Sequence, residues 1–329
     1  VIQIIAGAFK MIEAKSYFSG AGGLDLGLSQ AGINITQSLE LDPHACNTLR
    51  TNFKHEVIET DIRDIRVKDQ HWTPIITGTY PCTKYSGIAS VTGNRTGDEL
   101  FLHFFRHIAL SQPEMYIVEN VVGMKAFPIV MEAMTELPDY YINILCPVNS
   151  LNWLPQSRPR LILIGTRKPF YLDEPRETTR PILKDLLDPW NGKRPGQSIV
   201  NRFNGQYRDK PIVLDPEDPN TYARTLLANY AKNPGHQVVI DKDVPEGYRP
   251  FTVREYARVQ GFPDWFQFAG SQTEQYKQIG NSVVPPLGKY LGEQAIRYFN
   301  SHQETQAYIK NSPQFTREPV SEQLQTAFI

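Results

Sequence analysis

The stretch Ala14-Lys15-Ser16-Tyr17-Phe18-Ser19-Gly20-Ala21-Gly22-Gly23-Leu24-Asp25-Leu26-Gly27-Leu28 decides the fold class. Ala14 to Phe18 reads as a strand, Phe18 to Gly23 as a glycine turn and Leu24 to Ala31 as a helix. That order lets the polar end of a ligand approach backbone amides, with Gly20, Gly22 and Gly23 as the candidate contacts. A glycine turn before a helix also serves tight packing alone, so its meaning comes from its neighbours.

Outward from this unit the pattern repeats. Thr36 to Leu41 reads as a second strand, Pro43 to Phe53 as a helix, and Val57 to Glu59 and Ile75 to Thr77 as further strands. Leu100 to Ser111 has helical spacing, Met115 to Glu119 is a strand ending in a carboxylate, and Leu161 to Gly165 is another apolar strand. Strands alternating with helical segments predict an α/β fold with a parallel sheet, whose ligands sit beyond the carboxyl ends of the strands. Two acids stand at such ends. Glu40 follows Gly23 by 17 residues and ends strand two, where a carboxylate accepts hydrogen bonds from both ribose hydroxyls, and Asp61 ends strand three. Either alone reads equally well as a helix cap; together they favour an adenosine-type cofactor.

The chain has 329 residues, 40% hydrophobic and 21% charged, which excludes a disordered or collagen-like chain and suggests about two domains. Lys plus Arg number 34 against 35 Asp plus Glu, so any nucleic-acid surface has to be a local patch. Residues 166–210 supply one, with ten basic against six acidic residues, while 211–248 reverse to three against six. A second, less regular module therefore begins after Gly165, and the stretch from Ser301 is a polar tail. Three cysteines without metal-type CxxC spacing predict a reducing compartment and no metal site. Val1 to Phe9 lacks a basic leader, and no apolar run reaches the roughly 20 residues of a membrane helix. A soluble, cytoplasmic protein is expected.

Cys46 and Cys146, on a helix and a strand, read as small buried hydrophobes. Cys82 differs, because the proline-stiffened loop Gly78 to Ser86 presents it at the ligand edge of the sheet and Lys84 favours its thiolate. Glu119 ends the next strand, with a helix cap as its bland alternative. Arg158 and Arg160, two apart in an extended segment, point to one side and suggest an anionic or carbonyl-rich ligand; a solvent-facing strand start is the alternative.

In this order the residues resemble the DNA (cytosine-5)-methyltransferase family. The resemblance rests on Phe18 to Gly23, Glu40, Asp61, Pro81-Cys82, Glu119-Asn120-Val121, Gln156-Ser157-Arg158-Pro159-Arg160, Arg249 to Pro263 and Gly280 to Pro286, and it spans about Met11 to Phe299. It implies a Rossmann-like S-adenosylmethionine-binding domain (11–165 plus 273–300), a small target-recognition domain (166–272), a tail (301–329) and double-stranded DNA as partner. Phe18 would stack on the adenine, Glu40 hold the ribose, Asp61 meet the adenine amino group, and Asn281 and Ser282 line the cofactor pocket. Pro81, Ser86, Asn120 and Gln156 would surround the target base. Tyr80 and Thr83 depart from the family, which commonly has proline and glutamine there.

The implied chemistry is covalent. Carbon 5 of cytosine is a poor nucleophile until a thiolate, here Cys82, adds at carbon 6. Glu119 would protonate or hydrogen-bond ring nitrogen 3, and Arg158 or Arg160 would offset charge on the ring carbonyl. The base has to leave the duplex stack first. Base reading is expected from Arg194, Asn201, Arg202, Asn204 and Gln206. An RNA cytosine-5 methyltransferase and a catalytically silent DNA-binding homologue stay open as alternatives at this point.

Overall fold

Alternation of side chains along the strands sorts the core into two layers. The computed structural model describes residues 11–81, 98–192, 194–205 and 213–311, with backbone alone at 98–99 and 303–311. Cys82, Ser86 and Gln206 lie outside the described residues. Chain order runs β1 (Glu13–Tyr17), α1 (Gly23–Ala31), β2 (Asn34–Glu40), α2 (Pro43–Asn52), β3 (Glu56–Glu59), β4 (Ile75–Gly78), α3 (Asp98–Ser111), β5 (Met115–Val121), α4 (Pro128–Thr135), β6 (Tyr141–Asn149), β7 (Gln156–Ser157) and β8 (Pro159–Thr166). The smaller elements are α5 (Gln197–Asn204), β9 (Val213–Leu214), β10 (Ala223–Arg224), β11 (Val238–Ile240), β12 (Tyr248–Arg249) and α6 (Val253–Val259), followed by α7 (Gln272–Asn281) and α8 (Pro285–Asn311).

The main sheet has seven strands in the order β3-β2-β1-β4-β5-β8-β6. The expectation of a parallel sheet holds from β3 to β5 and fails at the far edge, where β8 runs antiparallel to both β5 and β6. Only a short connection, 150–158, joins β6 to β8, too little chain for the crossover a parallel pair requires. One face of the sheet (Ala14, Ile35, Ile117, Ile162) packs against α1 and α8, and the other (Tyr17, Leu39, Val118, Leu161) packs against α3 and α4.

A third core, with Tyr230, Phe251, Tyr256, Phe262 and Phe266 at its centre, also includes Leu26 of α1 and Ile279 of α7. A buried ion pair braces it. Arg249 donates from both terminal nitrogens to Glu255 at 2.8 Å and from Nε to Asp241 at 2.6 Å. Glu255 also closes the capping box of α6 with Thr252. Among the described residues no helix is long and apolar enough to cross a membrane, and no group of three or more His, Cys, Asp or Glu could hold a metal.

Candidate functional site

A cavity of about 950 Å³ opens at the carboxyl ends of the strands. Its wall includes Phe18, Gly20, Glu40, Asp61, Pro81, Glu119, Asn120, Arg158, Arg160, Asn281 and Ser282. Eleven of the sequence-predicted residues thus meet in one place. Its size suits a nucleoside cofactor together with a reacting base.

Glu40 organises one end of the cavity. One carboxylate oxygen accepts from the Gly20 amide at 2.7 Å, and the other accepts from the Leu41 and Asp42 amides at 2.8 and 2.9 Å. The carboxylate therefore ties the glycine turn to the end of β2. Phe18 takes a left-handed backbone (φ 57°), unusual for an aromatic residue. It is held there because Thr79 Oγ1 donates to its carbonyl at 2.7 Å and the Tyr80 ring packs edge-on at 6.4 Å. Tyr80, one of the departures from the family pattern, is buried between Phe18, Phe101 and Phe104 and bonds Met124 Sδ through its hydroxyl.

Two of the three glycines stand behind the cavity wall instead of lining it. Gly22 caps α1 in a left-handed conformation. Gly23 is pressed on the turn that leads into α8, where a Cβ would come within 2.1 Å of the Val283 carbonyl and 2.2 Å of Ser282 Oγ. A Cβ at Gly22 would likewise come within 2.7 Å of the Phe53 ring, so both positions need close approach of the backbone. Asn281 is exposed and Ser282 buried, both facing the cavity. Asp61 does line the cavity, but it also caps the following turn and pairs with Arg63 at 2.6 Å. The bonds from the Arg63 side chain, and less from its amide, hold the Asp61 carboxyl below the usual carboxylate range despite partial burial.

Beneath the turn Asp25 is completely buried and accepts from Ser38 Oγ at 2.8 Å; Ser38 Oγ in turn lies 2.7 Å from His55 Nε2. Burial pushes the Asp25 carboxyl up, and neighbouring serine hydroxyls and His55 oppose the shift. At the rim Lys277 pairs with Asp42 at 2.7 Å. Charge patterning did not reveal either group, because each partner comes from a distant element.

The opposite wall of the cavity is built by antiparallel register. Glu119 lies opposite Ile162 and Val121 opposite Arg160, so Glu119 and Arg160 are diagonal neighbours on one face. Arg160 Nε stands 2.9 Å from Glu119 Oε1, with both side chains largely buried. Asn120, on the opposite face, donates to the Tyr80 carbonyl at 3.2 Å and so ties β5 to the start of the cysteine loop.

Arg158 and Arg160 share the cavity but not a role. Arg158 is buried, and its terminal nitrogens donate to the carbonyls of Leu226, Gly280 and Ser282 at 3.3, 3.0 and 2.9 Å. It is a clamp on the segment that carries Asn281 and Ser282. Gln156, expected at the base, does not line the cavity. It is fully buried, donates to the Val259 carbonyl and Gln260 Oε1 at 3.0 Å each, and accepts from the Leu226 amide. A side-chain amide without access to solvent serves best where all its groups are paired within the protein.

Cys46 is buried, as expected, and burial together with Glu40 nearby pushes its thiol up to about 12. Cys146 lies on β6 as expected but is half-buried. Arg194, a candidate base reader, is paired with Glu246 at 2.6 Å.

The family model for the C-5 cytosine-specific DNA methylases matches residues 12–297. The chain is 30% identical over 327 residues to the type II methyltransferase M.Sau96I of Staphylococcus aureus, covering 86% of this chain and 75% of that protein. It is equally identical over 318 residues to M.Bsp6I of Bacillus sp. (strain RFL6), covering 86% and 98%. The fold is similar to that of the Entamoeba histolytica methyltransferase EhMeth, with a TM-score of 0.73 at 20% identity over 88% of this chain and 99% of the other. With an ordered motif set, a cavity lined by eleven of its residues and a family match over residues 12–297, the chain belongs to the C-5 cytosine-specific DNA methylase family.

Proposed function

We propose that the Glu40 end of the cavity holds S-adenosylmethionine and that the Glu119 end receives a cytosine flipped out of double-stranded DNA. The observation that carries this reading is the Glu119–Arg160 pair, in the same cavity as the Glu40-bound glycine turn and as Pro81, the residue before Cys82. The family's cofactor supplies an activated methyl group for carbon 5 of the base.

The chain's own residues do the rest. Cys82 thiolate adds to carbon 6, which makes carbon 5 an enamine-like nucleophile. Glu119, oriented through Oε1 by Arg160, bonds ring nitrogen 3 and the amino group, while the Arg160 guanidinium supports charge developing on the ring. Water takes the carbon 5 proton, and the thiolate leaves. Arg158 acts as a positioning residue, through the Gly280 and Ser282 carbonyls.

Residues 166–272 form the target-recognition domain in this reading, against a catalytic domain of 11–165 plus 273–300. Names of the relatives as type II methyltransferases support a place in restriction–modification, and hence in the cytoplasm beside the chromosome. The test is transfer of labelled methyl from S-adenosylmethionine to DNA by wild type, Cys82→Ala and Glu119→Gln. Cys82→Ala should lose at least about a hundredfold with cofactor affinity retained, and Glu119→Gln should slow transfer without weakening the cofactor. Normal transfer by Cys82→Ala, or transfer to RNA alone, would overturn the reading.

A further inference from the structure

Asp25 is completely buried, and no step of the chemistry above uses it. It stands in the first turn of α1, where an acid favours the positive end of the helix, but an exposed acid would do that as well without the cost of burial. The surroundings of the carboxyl show what the burial serves.

Register places three hydroxyls in one row across the sheet. Ser16 of β1 lies opposite Ser38 of β2 on one side and Thr77 of β4 on the other, and all three are buried. One pleat earlier the same row is Ile35, Ala14 and Ile75, part of the apolar core against α1. This face of the sheet therefore turns polar beneath the glycine turn. Ser38 Oγ donates to Asp25 Oδ2 at 2.8 Å, and the Ser16 and Ser19 hydroxyls stand beside the same carboxyl. With its one proton given to Asp25, Ser38 receives one from His55 Nε2, 2.7 Å away.

Ser19 carries this network to the cavity. Its hydroxyl donates to Ser16 Oγ at 2.9 Å, and its carbonyl accepts from the Gly22 amide at 2.9 Å. Ser19, Gly20 and Ala21 line the cavity, whereas Ser16, Asp25 and Ser38 do not. The turn is thus held from the β2 end by Glu40, through the Gly20 amide, and from below by the serine row.

We propose that Asp25 is a positioning residue for the cofactor: through Ser16, Ser19 and Ser38 its carboxylate fixes the glycine turn in the shape that S-adenosylmethionine meets at Ser19, Gly20 and Ala21. The proposal rests on the cofactor reading above and extends it to a group that touches no ligand. A buried carboxylate is costly, and a hydrophobic side chain of similar size is often no less stabilising at such a place. The charge is kept for the geometry it imposes on its donors.

The test compares wild type, Asp25→Asn and Ser38→Ala by calorimetry with S-adenosylmethionine, by steady-state methylation of DNA carrying the site mapped by bisulfite sequencing, and by urea unfolding. Asparagine keeps the shape but sets an NH2 donor against hydroxyls that donate. Asp25→Asn should raise both Kd and KM for the cofactor by about tenfold, with kcat at saturating cofactor and KM for DNA within about twofold of wild type. Ser38→Ala should move the same two constants in the same direction. A merely structural role predicts a lower urea midpoint and a smaller active fraction, hence a lower kcat with an unchanged KM for the cofactor. That pattern, or cofactor affinity within about twofold of wild type in both variants, would overturn the proposal. If Asp25→Asn does not fold, Ser38→Ala decides by the same criteria. A wild type that binds no S-adenosylmethionine would instead refute the cofactor reading beneath it.

Discussion

Glu40→Gln probes the proposed cofactor site more sharply than truncation, because the side chain keeps its shape and loses only its second acceptor. Both carboxylate oxygens receive backbone N–H groups, Gly20 at 2.7 Å on one side and Leu41 and Asp42 at 2.8 and 2.9 Å on the other. Glutamine has one oxygen. If it faces Leu41 and Asp42, its NH2 meets the Gly20 amide donor; if it turns over, two amides are left opposed. Losing one hydrogen bond to a charged group costs about 1.5 to 3 kcal/mol, and each 1.4 kcal/mol is about a factor of ten. A bond from a ribose hydroxyl to the same carboxylate, as proposed for the bound cofactor, is lost at the same cost, so titration calorimetry should show S-adenosylmethionine binding weakened by about 10- to 150-fold. Glu59→Gln is the control, since that acid ends the neighbouring strand but pairs on the surface with Arg50 at 2.7 Å. A Glu40→Gln protein with normal circular dichroism and cofactor affinity within about twofold of wild type would refute the role given to this carboxylate.

Glu255→Gln should be among the most damaging substitutions away from the cavity, because it leaves the Arg249 charge underpaired in the third core; urea unfolding should show a loss of about 3 to 5 kcal/mol, and a loss below about 1 kcal/mol would contradict that. Lys15, on β1, is buried beside the His71 carbonyl, and burial, partly offset by Glu56, pulls its amine from 10.5 down to about 8. The folded value lies below the unfolded one, so the charged amine penalises the fold fully below about pH 8, and the penalty fades as pH rises towards 10.5. The stability of wild type relative to Lys15→Met should accordingly rise between those limits, and a flat difference would place the amine in water.

Elements whose period and punctuation are local were legible from the sequence. The β1–turn–α1 unit, β2 with Glu40 at its end, and β5 with Glu119 at its end fall within a few residues of their expected places. What escaped depended on which strand lies beside which. The antiparallel β8 puts Arg160 diagonal to Glu119 and sends Arg158 to the Gly280 and Ser282 carbonyls, and two residues read as equivalent acquire different tasks. Spacing of two reports a shared face but not what that face meets. Gln156 illustrates the same limit. Its motif neighbours the cavity, yet its amide closes on Val259 and Gln260, more than a hundred residues away. The left-handed backbone of Phe18 left no trace in composition, because a Thr79 hydroxyl and a Tyr80 ring from the segment after β4 hold it.

The most direct test of the covalent route is a trap. An oligonucleotide with 5-fluorocytosine at the mapped target should be incubated with enzyme and S-adenosylmethionine, then resolved on a denaturing gel and by peptide mass. After methyl transfer carbon 5 carries methyl and fluorine with no proton to remove, so elimination of the thiolate is blocked. The expected result is a DNA-shifted band that survives denaturation, maps to Cys82 and vanishes in Cys82→Ala. An enzyme that methylates ordinary DNA but forms no adduct, or forms it through another residue, would contradict the covalent role of Cys82.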